Sequence, residues 1–251
     1  MQTLKEIKEQ LELTKTENLP QILSLFKEDE RKNVQALIAR YEKKYADYLS
    51  ELARMKQMFF YERMQEGAQY ICGIDEVGRG PFAGPVVAAA VILPKDCDIL
   101  YLNDSKKLSE KKREELNLEI REKAVAYAIG IVSPERIDEI NILQATYEAM
   151  RQAVNRLSVT PDVLLNDAVT IPQVAIRQVP IIKGDAKSAS IAAASIIAKV
   201  YRDHLMEDYD KIYPGYDFAS NKGYGSSKHI AALKEIGPCP IHRKSFIHNF
   251  V

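Results

Sequence analysis

Two apolar runs hinged on a loop of glycines restrict this chain more than any other feature. "YICGID", Tyr70 to Asp75, and "VVAAAVIL", Val86 to Leu93, are short and rich in β-branched residues and alanine. Runs of that length, bounded by glycine and proline, read as strands. The link between them, "GRGPFAG", holds Gly78, Gly80, Gly84 and Pro81 around one arginine, Arg79. The first run also ends on two adjacent carboxylates, Asp75 and Glu76, so the strand pair delivers acids and a flexible loop to the same place.

The elements that follow settle the fold class. Ser105 to Lys123 is charged and prone to helix, and "AVAYAIGIV" reads as a third strand. Ser133 before Pro134 starts a helix that runs to about Leu157, with a hydroxyl at the N-cap and proline in the first turn. "DVLLND" and "AIRQVPII" read as a fourth and a fifth strand. Ser188 to Tyr213 is strongly helical, and a last helix follows Ser226 and stops near Gly237. This order predicts an α/β fold with a mixed five-stranded sheet, an antiparallel meander on one side and parallel strands added through helical crossovers.

Residues 1–66 differ from the rest. They contain one proline, no glycine and interleaved charges. Apolar residues recur in steps of three and four from Val34 to Phe59, which predicts a long amphipathic helix. Leu4, Ile7 and Leu11 predict a shorter one, broken near Pro20. The expected division is therefore a helical extension over 1–66 and a main domain over 67–251 that ends in a basic helical region. The balanced charges of the extension disfavour a nucleic-acid arm and suit packing on the main domain or on a partner protein.

The 251 residues are 46% hydrophobic, enough for one sizeable core, and carry 35 basic against 35 acidic side chains. A disordered polyelectrolyte is excluded. Cys72, Cys97 and Cys239 are scattered and form no CxxC, so free thiols of a reducing compartment are expected. No apolar run approaches the ~18 residues of a membrane span, and no signal-peptide core opens the chain. A soluble, cytoplasmic protein without membrane association is expected, most simply a monomer.

The chemistry follows from where the acids fall. Asp75 and Glu76 end the first strand and Asp167 ends the fourth, and crevices beyond the carboxyl ends of strands are where open α/β sheets bind ligands. Asp185, in "KGDAKSAS", precedes a helix, and taken alone it reads equally well as an N-cap. Gathered carboxylates repel one another and invite a cation. The four histidines form no ligand pair, so oxygen ligation of Mg²⁺ or Mn²⁺ fits better than zinc. Four carboxylates suffice for a two-ion site of the kind that serves phosphodiester cleavage. "GRGPFAG" matches neither a dinucleotide fingerprint nor a Walker loop. Its glycines allow close approach of backbone to ligand, and Arg79 can reach a phosphate or a sugar. "NKGYGSSKH", Asn221 to His229, is a second glycine loop that feeds a helix N-terminus, presents Tyr224, and offers Lys222, Ser226 and Lys228 as phosphate contacts. From Asn221 onward there are five Lys or Arg against one acid, with Phe246 and Phe250 among them, the pattern of a basic nucleic-acid face.

"GIDEVGRGPFAGPVVAAAVILP", "LNDSKKLSEKKRE", "KGDAKSASIAAASIIAKVYRD" and "NKGYGSSKH" together resemble bacterial ribonuclease HII, the type 2 ribonucleases H, across roughly residues 70 to 248. The resemblance implies an RNase H-like fold and metal-dependent cleavage of the RNA strand in RNA–DNA hybrids. It also implies incision 5′ to a single ribonucleotide embedded in duplex DNA. It assigns Asp75, Glu76, Asp167 and Asp185 as catalytic metal ligands, and Gly78, Arg79 and Gly80 as the motif that senses the ribose 2′-hydroxyl. It makes Tyr224 the tyrosine that stacks at the RNA–DNA junction. Two departures stand out. Asn166 occupies a usually apolar position, and residues 1–66 exceed the minimal domain. The competing readings are a type 3 ribonuclease H, whose first motif would resemble Asp-Glu-Ser-Gly-Lys-Gly, and a hybrid-binding module without catalysis, which would be expected to lack one of the acids.

Overall fold

The computed structural model describes residues 2–250, which form two compact units that meet in sequence at Gln57 and Met58.

In the first unit α1 (Leu4–Leu13) starts with a reciprocal cap between Thr3 and Glu6, which satisfies two free amides of the first turn. Pro20 does not end a helix. It stands in the first turn of α2 (Leu19–Ser24), where its missing N–H costs no bond. The periodic stretch from Val34 lies in α3 (Lys32–Met58), 27 residues and therefore about 40 Å long. Ile7, Leu11, Leu19, Leu23, Val34, Ile38 and Tyr41 form this unit's core.

The second unit opens with the short α4 (Phe60–Arg63) and is built on one sheet. Its strands are β1 (Ile71–Val77), β2 (Val86–Ile92), β3 (Ala126–Val132), β4 (Val163–Asp167) and β5 (Arg177–Ile181), in the order β3-β2-β1-β4-β5. β1, β2 and β3 form the antiparallel meander, and β4 and β5 add in parallel beside β1. Every residue of β2 is buried, as befits a strand covered on both faces. One face carries α6 (Pro134–Asn155) and the other α7 (Ala189–Ile212). The side-chain alternation of β1 divides accordingly. Cys72 and Ile74 join the core with α6 residues Ala145, Ala149 and Met150, while Gly73 faces α7. A Cβ on Gly73 would lie 2.0 Å from the backbone carbon of Ser190, so only glycine lets the alanine-rich start of α7 rest on the strand.

Three details depart from the sequence expectations. The stretch from Ser105 divides into a 3-10 turn, Ser105–Lys107, and α5 (Glu110–Lys123), because Ser109 caps the latter. The helix from Pro134 is interrupted at Asn141, whose φ of 66° is non-helical. Among the described residues beyond α7 stand not one helix but three: α8 (Phe218–Asn221), α9 (Ser227–Ile236), capped by Ser226, and α10 (Lys244–Ile247). Among the described residues no helix is long and apolar enough to cross a membrane.

Candidate active site

Strand register brings the first acids together. β1 and β4 pair in parallel with Ile74 opposite Asn166, so Asp75 and Asp167 follow at neighbouring strand ends on the face covered by α7. Asn166 points the other way. It is fully buried and donates to Gln178 Oε1 at 2.7 Å. Its departure from an apolar type therefore leaves the placement of Asp167 untouched.

Asp75 is almost buried, at 6% exposure. Its Oδ1 accepts from the Glu76 amide at 2.8 Å, and Ser195 of α7 donates to the same carboxyl. Ser195 is itself hydrogen-bonded to Ser105 at 2.9 Å. Burial, then the charge of Glu76, then that of Asp167 raise the proton affinity of Asp75 well above the ordinary carboxylate range. Burial likewise raises Glu76, against the pull of Arg79, whose Nη1 lies 3.3 Å from Glu76 Oε1. Asp167 Oδ1 accepts from the Gly184 amide at 2.7 Å, which fixes the turn that carries Asp185. Asp185 does not cap α7, since Ser188 accepts from the Ile191 amide instead. Its proton affinity is raised by burial and by the charges of Asp104 and Asp167.

Asp104 and Lys106 enter the site although the acid count from strand ends alone did not reveal them. Asp104 hydrogen-bonds with Asp185, and Lys106 lowers the proton affinity of both Asp185 and Glu76. Both residues lie in "LNDSKKLSEKKRE", where Asp104 caps the 3-10 turn by accepting from the Lys106 amide. The donor set is all oxygen and electrostatically unfavourable without a cation, which fits a hard divalent ion. Among the described residues no three acidic, histidine or cysteine side chains already enclose a common point.

The two glycine loops adjoin each other and the acids. The amides of Phe82 and Ala83 donate to Gly223 O at 2.8 and 3.3 Å. The ring of Tyr224 lies beside Gly80, where an added Cβ would stand 3.7 Å from Cε1, and the tyrosine is 47% exposed. Two buried arginines hold this junction. Arg202, from α7, donates to the carbonyls of Pro85, Ala83 and Lys222. Arg243 donates to those of Gly84, Arg79 and Gly78. Both are fully buried, and the loss of water pushes them down to about 10 and about 9 respectively. Gly78, with φ +88°, has no room for a side chain because a Cβ would lie 2.2 Å from Arg202 Nε.

The expected basic face is thinner than its composition implies. Arg243 points inward. Lys222 is bound to Glu207 at 2.6 Å, and Ser226 uses its hydroxyl on the His229 amide. Phe246 packs under Arg243, 5.1 Å from its guanidinium carbon, and Phe250 packs on Phe82. Lys228 remains exposed, 3.8 Å from Asp217, and Lys234 and Lys244 are exposed as well.

Residues 72–249 match the family model described as Ribonuclease HII, and residues 3–65 match a second, Ribonuclease HII N-terminal domain. The helical extension therefore has a family counterpart of its own. Similar curated proteins include Ribonuclease HII of Lachnoclostridium phytofermentans, 62% identical over 98% of this chain and 97% of the relative. That of Clostridioides difficile is 51% identical over 99% and 98%. Among solved structures, ribonuclease H2 from Pyrococcus horikoshii is 29% identical with a TM-score of 0.61, covering 72% of this chain and 96% of that one. The RNase HII of an Archaeoglobus fulgidus PCNA:RNase HII complex is 31% identical with a TM-score of 0.60 and the same coverage. Its sheet order is that of an RNase H fold, and both of its parts are matched at high identity. The chain belongs to the ribonuclease HII family and is a ribonuclease H that acts on RNA–DNA hybrids.

Proposed function

We propose that this enzyme also incises 5′ to single ribonucleotides embedded in duplex DNA, using Mg²⁺ or Mn²⁺ held by Asp75, Glu76, Asp167 and Asp185. The observation that carries this reading is the adjacency of Tyr224 to Gly80 in a loop tied to Glu76 through Arg79. A lone ribonucleotide differs from its neighbours by one 2′-hydroxyl. A site that must find it needs polar groups and an aromatic surface within reach of one sugar and of the scissile phosphate together.

The residues divide the task. The four carboxylates, three of them at the ends of neighbouring strands, would hold the cations. Ions bound there would stabilise the attacking and leaving oxygens of the phosphodiester. Ser195 and the Glu76 amide keep Asp75 in one orientation, and the Gly184 amide does the same for Asp167. Backbone groups of Gly78, Arg79 and Gly80 meet the ribose, and the ring of Tyr224 stacks on the deoxyribose that follows. Lys228, with less from Lys222 and Ser226, contacts backbone phosphates. On this reading the first unit, which ends at Gln57, takes no part in the chemistry and is available to a partner protein, and the enzyme works as a monomer.

The test is a DNA duplex carrying one ribonucleotide, incubated with Mg²⁺, with Mn²⁺ or with chelator, and the cut mapped. Cleavage at the 5′ side of the ribonucleotide, abolished by chelator, is expected. A cut elsewhere, or one that survives chelation, would overturn the reading.

A further inference from the structure

Arg243 is a large, charged, fully buried side chain near the C-terminal end of the chain, and among the described residues no carboxylate is hydrogen-bonded to it. Its three nitrogens all go to carbonyls of one distant loop. Nε donates to Gly84 O at 2.9 Å, Nη1 to Arg79 O at 2.8 Å and Nη2 to Gly78 O at 2.5 Å. The backbone around it lies along the same loop: Arg243 N donates to Phe82 O, Gly84 N donates to Ile241 O, and Ala83 bridges His242.

The consequence lies in the peptide planes. There are no cis peptides among the described residues, and in a trans peptide the C=O of one residue and the N–H of the next point in opposite directions. If Arg243 draws the carbonyls of Gly78 and Arg79 inward, the N–H groups of Arg79 and Gly80 must face outward. Among the described residues neither amide has a backbone acceptor. Two adjacent donors are thus left pointing away from the core, next to the ring of Tyr224. A hydroxyl oxygen accepts from such donors, and a deoxyribose leaves them bare.

We propose that Arg243 is a positioning residue for ribonucleotide recognition, setting the loop peptides so that the amides of Arg79 and Gly80 are presented to the 2′-hydroxyl. The inference rests on the reading that this loop senses the ribose. A guanidinium is required because three carbonyls in three directions need a rigid planar fork, which a single ammonium cannot supply. The same chain segment secures the other half of the site. Cys239 N–H donates to His242 Nδ1 at 2.9 Å, which places the proton of His242 on Nε2. That proton goes to His229 Nε2 at 2.9 Å, and His229 Nδ1–H then donates to Tyr224 O at 2.9 Å. Consecutive residues, His242 and Arg243, therefore hold the tyrosine loop and the glycine loop.

The experiment measures kcat and KM for Arg243→Lys and Arg243→Ala on a single-ribonucleotide duplex and on a long hybrid, with melting curves for each variant. Both variants should lose at least thirtyfold in kcat on the lone ribonucleotide, with KM changed less than about threefold and hybrid cleavage reduced less. Millimolar ethylguanidinium should restore Arg243→Ala at least tenfold, and ethylammonium should not. Arg243→Lys keeps the charge and most of the volume, so it carries the test if Arg243→Ala does not fold. Wild-type kcat in Arg243→Lys would overturn the proposal. Equal losses on both substrates, or failure of both variants to fold, would also overturn it in favour of a purely structural arginine. Tyr224→Ala serves as the control. If it leaves the substrate ratio at the wild-type value, the sensing role of the loops fails. If it lowers the ratio and Arg243→Lys does not, only the role of Arg243 fails.

Discussion

The carboxylate cluster and the pair of glycine loops adjoin each other but are held by different means. Asp75, Glu76 and Asp167 are placed by strand register, and Asp185 by a turn bonded to Asp167. Their geometry is a property of the sheet. The loops owe their shape to side chains far along the chain: Arg202 and Arg243 bond carbonyls up to 119 and 165 residues away. The cluster stores repulsion that a cation can relieve, whereas the loops store none and are simply fastened. Chemistry and discrimination can therefore be damaged separately, and variants should distinguish them.

The largest effect is expected in the cluster. Asp75→Asn should lower kcat by roughly a thousandfold or more, since a metal clamp contributes several kcal/mol and each ~1.4 kcal/mol is tenfold. Substrate affinity should change little, and the metal-free variant should melt no lower than wild type because a repelling charge is gone. Near-normal turnover would remove Asp75 from the metal site.

In the loops, Tyr224→Ala should lower the ratio of kcat/KM on a lone ribonucleotide to that on a hybrid by ~10–100-fold, the range of ~1–3 kcal/mol per aromatic stack. Tyr224→Phe should lower it less. Equal effects on both substrates would make Tyr224 a general contact, not a discriminating one.

The boundary of the catalytic part gives a third, smaller contrast. Glu62 Oε1 accepts from Ser188 Oγ at 2.6 Å and from Ser190 N at 2.9 Å, next to the turn that bears Asp185. A chain beginning at Met58 keeps these bonds, and one beginning at Gly67 loses them. The shorter chain should melt about 5 °C lower and turn over several-fold more slowly, with the same cut position, given ~1.5–3 kcal/mol for a hydrogen bond to a charged group. Identical melting of the two would show that Glu62 is dispensable.

The fastening has a pH signature. Burial pushes His242 down to about 4 and lowers His229, with Cys239 and the ring of Tyr216 packed against them. An unfolded histidine titrates near ~6.5, so between about 6.5 and 4 the unfolded chain holds protons that the folded one does not. Stability should fall as pH drops through that window. His242→Gln should melt lower than wild type at pH 8 but show a flatter decline, as read from melting temperature against pH. An unchanged slope would mean that His242 titrates normally.

The smallest effect concerns charge at the edge of the loops. Lys228→Gln and Lys244→Gln should each reduce the log–log salt slope of binding by about 0.9 if each lysine meets one phosphate. Deleting the whole basic tail would not isolate this effect, because it would also remove Arg243 and His242.

How much of this was legible in the sequence follows the same division. Strand periodicity and the acids at strand ends are local, so "YICGID" and "DVLLND" announced both the sheet and the meeting of Asp75 with Asp167. The capping hydroxyls Ser133 and Ser226 marked their helices for the same reason. The inward turn of Arg243 and Lys222 could not be read, because a basic residue declares its charge and not its direction. Asp104 was hidden in a charged stretch whose acids and lysines alternate without period, so only its spatial neighbour Asp185 identifies it. The interruption of α6 at Asn141 likewise depends on one backbone angle and not on composition.

The distance along the chain between Gly78 and the arginine that holds it also has a meaning in time. A ribosome adding about 5–20 residues each second needs roughly 8–33 s to travel the 165 positions that separate them. The four acids proposed to hold the metal, Asp75, Glu76, Asp167 and Asp185, all emerge before Arg243 does. On the proposed assignment, a nascent chain would possess its cutting groups before its means of choosing a target. If Arg243 positions the loop as proposed, docking of the 239–243 segment would be the step at which a potential nuclease becomes a selective one.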